Sequence, residues 1–175
     1  MTKVLTEAAL PRQNCIVIYT DGSCQPNPGP GAYAAILCRY IDGALMNRMP
    51  RSGGAMSTTN IRMKMSAVVA ALKPIRRDEP LPIFIFTDSE MIVKGMTDWL
   101  PGWIAKGWRN NKGKRVENVD LWQEIARLCE GLDVTFRWER GRSGDPMKQE
   151  AHQLAEKTCA IWIQKADEES FCTAA

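Results

Sequence analysis

A mixed five-stranded sheet with helices on both faces, an α/β fold, is predicted by three features of this chain. Two apolar runs rich in β-branched or aromatic residues, 16–20 and 83–87, each end in Thr-Asp followed by a small residue, Asp21-Gly22 and Asp88-Ser89. Such runs read as buried strands that carry a carboxylate to the edge of a sheet. Three strands come first and helices then alternate with strands, which implies a mixed sheet covered on both sides. Finally, 45% of the 175 residues are apolar, enough to fill a single core, and no internal repeat or low-complexity tract interrupts them.

The elements follow in order. A strand over 15–21 leads into the bend Gly22-Ser23-Cys24-Gln25-Pro26-Asn27-Pro28-Gly29-Pro30-Gly31, where glycine and proline break the pattern. Alternating residues predict a strand over 32–40, and a further strand is placed at 43–49. Thr58-Thr59-Asn60 opens a helix over 58–73 that Pro74 ends, because proline cannot continue the hydrogen-bond ladder. A strand at 82–87 precedes a helix at 89–96 and a short helix at 98–106. Asn118-Val119-Asp120-Leu121-Trp122 opens a helix over 119–130, Trp138-Glu139-Arg140-Gly141 closes a strand over 133–139, and the last helix covers 147–166. The domain is expected at 14–166, with patternless tails at 1–13 and 167–175.

No apolar run approaches the roughly 18 residues that cross a bilayer, and the first residues lack the apolar core of a signal peptide, so a cytoplasmic protein without membrane partners is expected. The six cysteines, at 15, 24, 38, 129, 159 and 172, show no Cys-x-x-Cys spacing and read as free thiols.

Taken together, Thr-Asp-Gly-Ser-Cys at 20–24, Thr-Thr-Asn at 58–60, Thr-Asp-Ser at 87–89, Asn-Val-Asp-Leu-Trp at 118–122 and Trp-Glu-Arg-Gly at 138–141 closely resemble the type 1 ribonuclease H family over residues 14 to 165. The resemblance implies the ribonuclease H-like fold, hydrolysis of the RNA strand of RNA/DNA hybrids, and a two-metal site on Asp21 and Asp88. The chain departs from the family at four points. The metal-binding glutamate falls on Lys64, the loop histidine on Arg142, an asparagine on Lys148 and the last catalytic aspartate on His152. Lys148 by itself reads as a solvated surface charge, and His152 as a residue hydrogen-bonded in place that can also ligate a metal.

Two divalent ions about 3.5–4 Å apart need several carboxylates. Here Glu to Lys shifts the formal charge by two units, and each of the other three exchanges by one, all towards positive. Magnesium favours hard oxygen ligands, so the exchanges oppose its binding. The expected arrangement has the Lys64 ammonium between Asp21 and Asp88 in place of a metal. No cofactor is expected, and Mg or Mn enters only if the chain is a working nuclease.

Nucleic-acid contacts are expected from two regions. Residues 104–115 hold Lys106, Arg109, Lys112, Lys114 and Arg115 with no acid among them, although the whole chain is only +3. Trp99, Trp103 and Trp108 lie beside them, a pattern for phosphate contacts flanked by stacking surface. The resemblance adds Cys24, Asn27, Thr59 and Asn60 as contacts to the nucleic acid, while Ile61 and Glu90 replace its second Asn and a Gln. These readings lead to the expectation of a domain that no longer hydrolyses RNA and binds duplex nucleic acid, alone or as a subunit of a nucleoprotein complex. The alternatives are an active ribonuclease H and a structural protein-interaction domain.

Overall fold

A computed structural model describes residues 14–141 and 144–173, with side chains through Ser170. Arg142, the segment 1–13 and the Cys172 side chain lie outside the described residues. The strands β1 (Cys15–Cys24), β2 (Gly29–Ile41), β3 (Ala44–Thr58), β4 (Ile83–Thr87) and β5 (Val134–Trp138) form one five-stranded sheet in the order β3-β2-β1-β4-β5. The β1–β2 and β2–β3 pairs are antiparallel, whereas β1–β4 and β4–β5 are parallel.

The helices are α1 (Asn60–Leu72), α2 (Glu90–Lys94), α3 (Leu100–Ala105), α4 (Val119–Cys129) and α5 (Pro146–Thr173), with a π-helical turn at Gly95–Trp99 joining α2 to α3. Side chains alternate across a strand, so β1 feeds two cores. Ile16 and Ile18 pack with Leu37, Ile83 and Ile85 beneath Met65, Val68 and Leu72 of α1 and Trp122 and Ile125 of α4. Val17 and Tyr19 face the other way, with Ile36, Cys38 and Ala151 of α5.

Three elements differ from their expected limits. β3 continues to Thr58 rather than stopping at 49, because an antiparallel neighbour supplies backbone partners along β2 even where the sequence turns polar and glycine-rich. α5 runs on to Thr173, so 167–173 continue a helix instead of beginning a tail. The first bend is shorter than expected, since β1 keeps its pairing with β2 as far as Cys24 opposite Gly31. Cys15, Cys24, Cys38, Cys129 and Cys159 are all free thiols, and burial pushes the Cys129 thiol up to about 12. Among the described residues no helix is long and apolar enough to cross a membrane.

Arg39 of β2 clamps the turn before β4 by a two-point ion pair, its Nη1 and Nη2 each donating to a Glu79 carboxylate oxygen at 2.9 Å. Hydrogen bonding from Arg39 holds the Glu79 pKa below its usual value despite burial. A depressed folded-state pKa adds stability above the unfolded value of about 4.3, and that stability disappears as pH falls through the folded value. Glu79→Gln should therefore cost about 0.2–1 kcal/mol at pH 7, given the partly exposed Arg39, and nothing once acid has protonated Glu79 in both states. Urea denaturation of both proteins across the acid range measures this.

Candidate active site

Strand register brings the two predicted carboxylates together. Tyr19 of β1 and Phe86 of β4 are parallel partners with stacked rings 5.4 Å apart. Asp21 lies two residues beyond Tyr19 on β1, and Asp88 directly follows Thr87, the last residue of β4. Asp21 is 5% exposed. Its Oδ1 accepts from the Gly22 N–H at 2.8 Å, and its Oδ2 lies 2.7 Å from His152 Nδ1.

α1 delivers Lys64 to this point. Thr59 caps the helix, its Oγ1 accepting from the Arg62 N–H at 3.3 Å. Met63 and Met65 on either side of Lys64 are buried. A Cβ at Gly22 would collide with the α1 backbone at Met63 and Lys64, so glycine there lets the helix approach the strand end. Lys64 Nζ donates to Asp88 Oδ1 and Oδ2 at 2.5 and 2.6 Å and lies 3.3 Å from Asp21 Oδ1. One ammonium thus bridges both carboxylates.

Lys148 corrects the surface reading of its charge, for it is only 2% exposed. Its Nζ donates to the Thr20 carbonyl at 2.7 Å and lies 4.0 Å from Asp88 Oδ1. Asp145 fixes the start of α5 by accepting from the Met147 and Lys148 N–H groups at 2.7 and 3.3 Å. Sequence reasoning passed over this residue, although an Asp directly before Pro146 is a helix-start signal. Also missed were Glu156, whose Oε1 lies 3.3 Å from His152 Nε2, and the Trp138 indole, which donates to the Asp88 carbonyl at 3.2 Å. A cleft lined by Asp21, Asp88, Gly141, Lys148, His152 and Glu156 opens over the group.

Burial works to raise the Asp21 pKa, but Lys148, Lys64, His152 and the Gly22 N–H outweigh it and hold the carboxyl below its usual range. The divalent ions implied by ribonuclease H resemblance do not fit these residues as placed. Among the described residues no three His, Cys, Asp or Glu side chains converge to hold an ion. Asp21 and Asp88 already share an ammonium, and a second ammonium stands behind Asp88. Hard-cation sites are built from oxygen ligands, not from ammonium groups.

The expected nucleic-acid contacts divide into three groups. A second cleft, next to Lys64 and Asp88, is lined by Asn27, Thr59 and Asn60. Asn27 Oδ1 accepts from the Asn60 N–H at 3.2 Å. Cys24, which the resemblance places among the contacts to the nucleic acid, is 7% exposed, and its thiol faces the carbonyls of Pro26, Gly29 and Thr58.

The basic segment folds as a small loop closed by an antiparallel bridge between Arg109 and Arg115. Lys106 donates to Asn111 Oδ1 and Arg109 to the Gly113 carbonyl, both at 2.8 Å, while Lys112, Lys114 and Arg115 are exposed. Trp103 corrects its assignment to the binding surface. It packs between Trp99, 5.6 Å away, and the buried Trp122, 5.2 Å away, as part of the core wall. Trp108 also packs against the core, and Trp99 keeps 40% of its surface exposed.

The RNase H family model matches residues 13–160. The chain belongs to the ribonuclease H family. Ribonuclease H of Cupriavidus pinatubonensis (strain JMP 134 / LMG 1197) is 41% identical over 145 residues, covering 83% of this chain and 95% of that protein. Ribonuclease H of Polaromonas naphthalenivorans (strain CJ2) is 40% identical over 159 residues, 90% of this chain and 94% of the relative. Among solved structures, LC9-RNase H1, described as a type 1 RNase H with the type 2 active-site motif, is similar with a TM-score of 0.73 and 29% identity, covering 86% of this chain and 74% of that one.

These relatives overturn the expectation of a domain that has lost hydrolysis. That expectation rested on the charge of four positions. Charge decides which cation a carboxylate pair accepts, whereas the similarity to proteins named Ribonuclease H extends over nearly their whole length.

Proposed function

We propose that this chain is a ribonuclease H that binds RNA/DNA hybrids and cleaves their RNA strand in the cytoplasm, through the unit spanning residues 14–166. The carrying observation is the carboxylate pair Asp21 and Asp88 in an open cleft at the ends of β1 and β4, in a chain 41% identical to a protein named Ribonuclease H. In this reading Lys64 and Lys148 keep the carboxylates from repelling the approaching phosphate and oppose the charge that builds on it during cleavage. His152, oriented at Nδ1 by Asp21, exchanges a proton at Nε2, where Glu156 is its neighbour. Asn27, Thr59 and Asn60 line the adjoining cleft for the nucleic acid, and Trp99 offers a stacking face.

A hybrid labelled on its RNA strand tests the proposal, with Mg²⁺, with Mn²⁺ and with chelator, against Asp21→Asn and Asp88→Asn proteins prepared identically. Cleavage by the unaltered chain and its loss in both variants is the expected result. Cleavage no greater than in the variants under every condition would end the nuclease reading.

The exposed loop charges supply the second test. Each phosphate contact removed lowers the salt slope by about 0.7–0.9, according to strand state. Lys112→Ala, Lys114→Ala and Arg115→Ala combined should therefore weaken hybrid binding and flatten its dependence on log salt, with little change in sequence preference. Fluorescence anisotropy at several salt concentrations reads both; an unaltered slope in a folded variant would make the loop a solvated surface only.

A further inference from the structure

We propose that Lys64 is an internal cation of the Asp21–Asp88 pair, so that a divalent ion reaches these carboxylates only by displacing its ammonium. The inference deepens the nuclease reading of the same site and rests on it for the choice of ion, but its test uses no nucleic acid. A failure of cleavage and a failure of this proposal are therefore separate results.

Three features carry it. Lys64 Nζ spends two of its three protons on both Asp88 oxygens, at 2.5 and 2.6 Å, and faces Asp21 Oδ1 at 3.3 Å. The ammonium therefore stands where an ion bridging the two carboxylates has to stand. The Lys64 side chain is 15% exposed and rises from a helix whose adjacent residues, Met63 and Met65, are buried, so the helix cannot rotate it away. Behind the pair, Lys148 is anchored to the Thr20 carbonyl 4.0 Å from Asp88, which keeps a second positive charge beside the same oxygens.

An entering ion must break two short charge-assisted hydrogen bonds and leave the Lys64 ammonium without a partner. Each such bond given up weakens ion binding by on the order of tenfold or more. The pair is not short of ligands so much as already neutralised. Removing the tethered cation should thus create affinity where adding a further carboxylate alone would not.

Calorimetric titration of Mn²⁺ and Mg²⁺ into the full chain tests this, with Lys64→Ala, Lys64→Gln and Lys64→Glu compared with the unaltered protein. Lys157→Ala, on the exposed side of α5, is the control for losing one positive charge. Lys64→Ala and Lys64→Gln are expected to bind Mn²⁺ at least about tenfold more tightly than the unaltered chain, and Lys64→Glu more tightly still, with Lys157→Ala unchanged. A ratio nearer one than ten overturns the proposal. So does the lack of measurable binding in all three Lys64 variants, since a freed pair should take the ion.

A second measurement needs no variant and remains decisive if the Lys64 proteins do not fold. The Gly22 amide lies 2.8 Å from Asp21 Oδ1, so Mn²⁺ on the pair would abolish its NMR signal. Persistence of the Gly22 signal in the unaltered chain at submillimolar Mn²⁺ is the expected result, and its loss there overturns the proposal.

Discussion

Replacing Asp21 by Asn should reduce hybrid cleavage by about 10²–10⁴-fold, the range associated with a positioned acid–base group. The carboxylate orients His152 through Nδ1, accepts the Gly22 N–H and faces Lys64, all at 5% exposure. An amide of the same shape can accept from only one oxygen, and its NH₂ turns donors towards groups that are themselves donors. Single-turnover cleavage measures the chemical loss. Stability should fall as well, by about 3–5 kcal/mol, because a buried network of opposite charges loses one member. That second loss should be present at neutral pH and fade in acid. The Asp21 pKa is depressed in the folded state, so its contribution is complete above the unfolded value of about 3.9 and is lost as pH falls through the folded one. Denaturation midpoints that match the unaltered chain at pH 7 would show that Asp21 is not held by the charges around it.

Trp122→Ala should cost about 3–5 kcal/mol, the usual range for removing a large aromatic side chain from a core. Trp122 is 2% exposed, and its ring is tilted at 58° to Trp103. A side chain at Gly95 would collide with that ring, so the π-helical turn lies directly against it. α3 and the basic loop lean on this wall through Trp103, whose carbonyl accepts the Trp108 N–H at 2.7 Å. Hybrid affinity should consequently fall together with stability, although Trp122 itself is buried. Guanidinium denaturation should show a lower midpoint at an unchanged slope. A loss below about 1 kcal/mol would mean that the neighbouring side chains collapse into the space without disturbing the protrusion.

Most of the framework was legible in the sequence because strands and helices announce themselves by local period. The run ending at Asp21 and the one ending at Asp88 each read as a buried strand delivering a carboxylate, and two strands that end alike read as a pair of acids side by side. Lys64 was legible through the ribonuclease H resemblance, which puts the family's metal-binding glutamate at this position, one turn into the helix between Met63 and Met65. The far half of β3 was less so: apart from Met56 its residues 50–57 are polar or small, and only pairing with β2 makes them a strand. Trp103 was given to nucleic acid because its neighbours in sequence are basic, and Cys24 because the ribonuclease H resemblance places a contact there, whereas in space Trp103 meets a second tryptophan and the Cys24 thiol meets backbone carbonyls.

Composition, period and turn chemistry by themselves determined the kind of fold, the order of its elements and the two strand-borne aspartates. These are short-range properties, set by which residues recur at a spacing of two or near four. The tertiary structure decided which charges meet. Lys148 lies 128 positions from Thr20 in the chain and His152 131 from Asp21, yet packing α5 on the β1–β2 face brings both within hydrogen-bond reach. Along the chain Lys148 reads as one more solvated cation. Only that packing turns it into a buried ammonium that helps set the charge of the cleft, because Coulomb energy depends on distance and local dielectric, and neither is written in the spacing of residues.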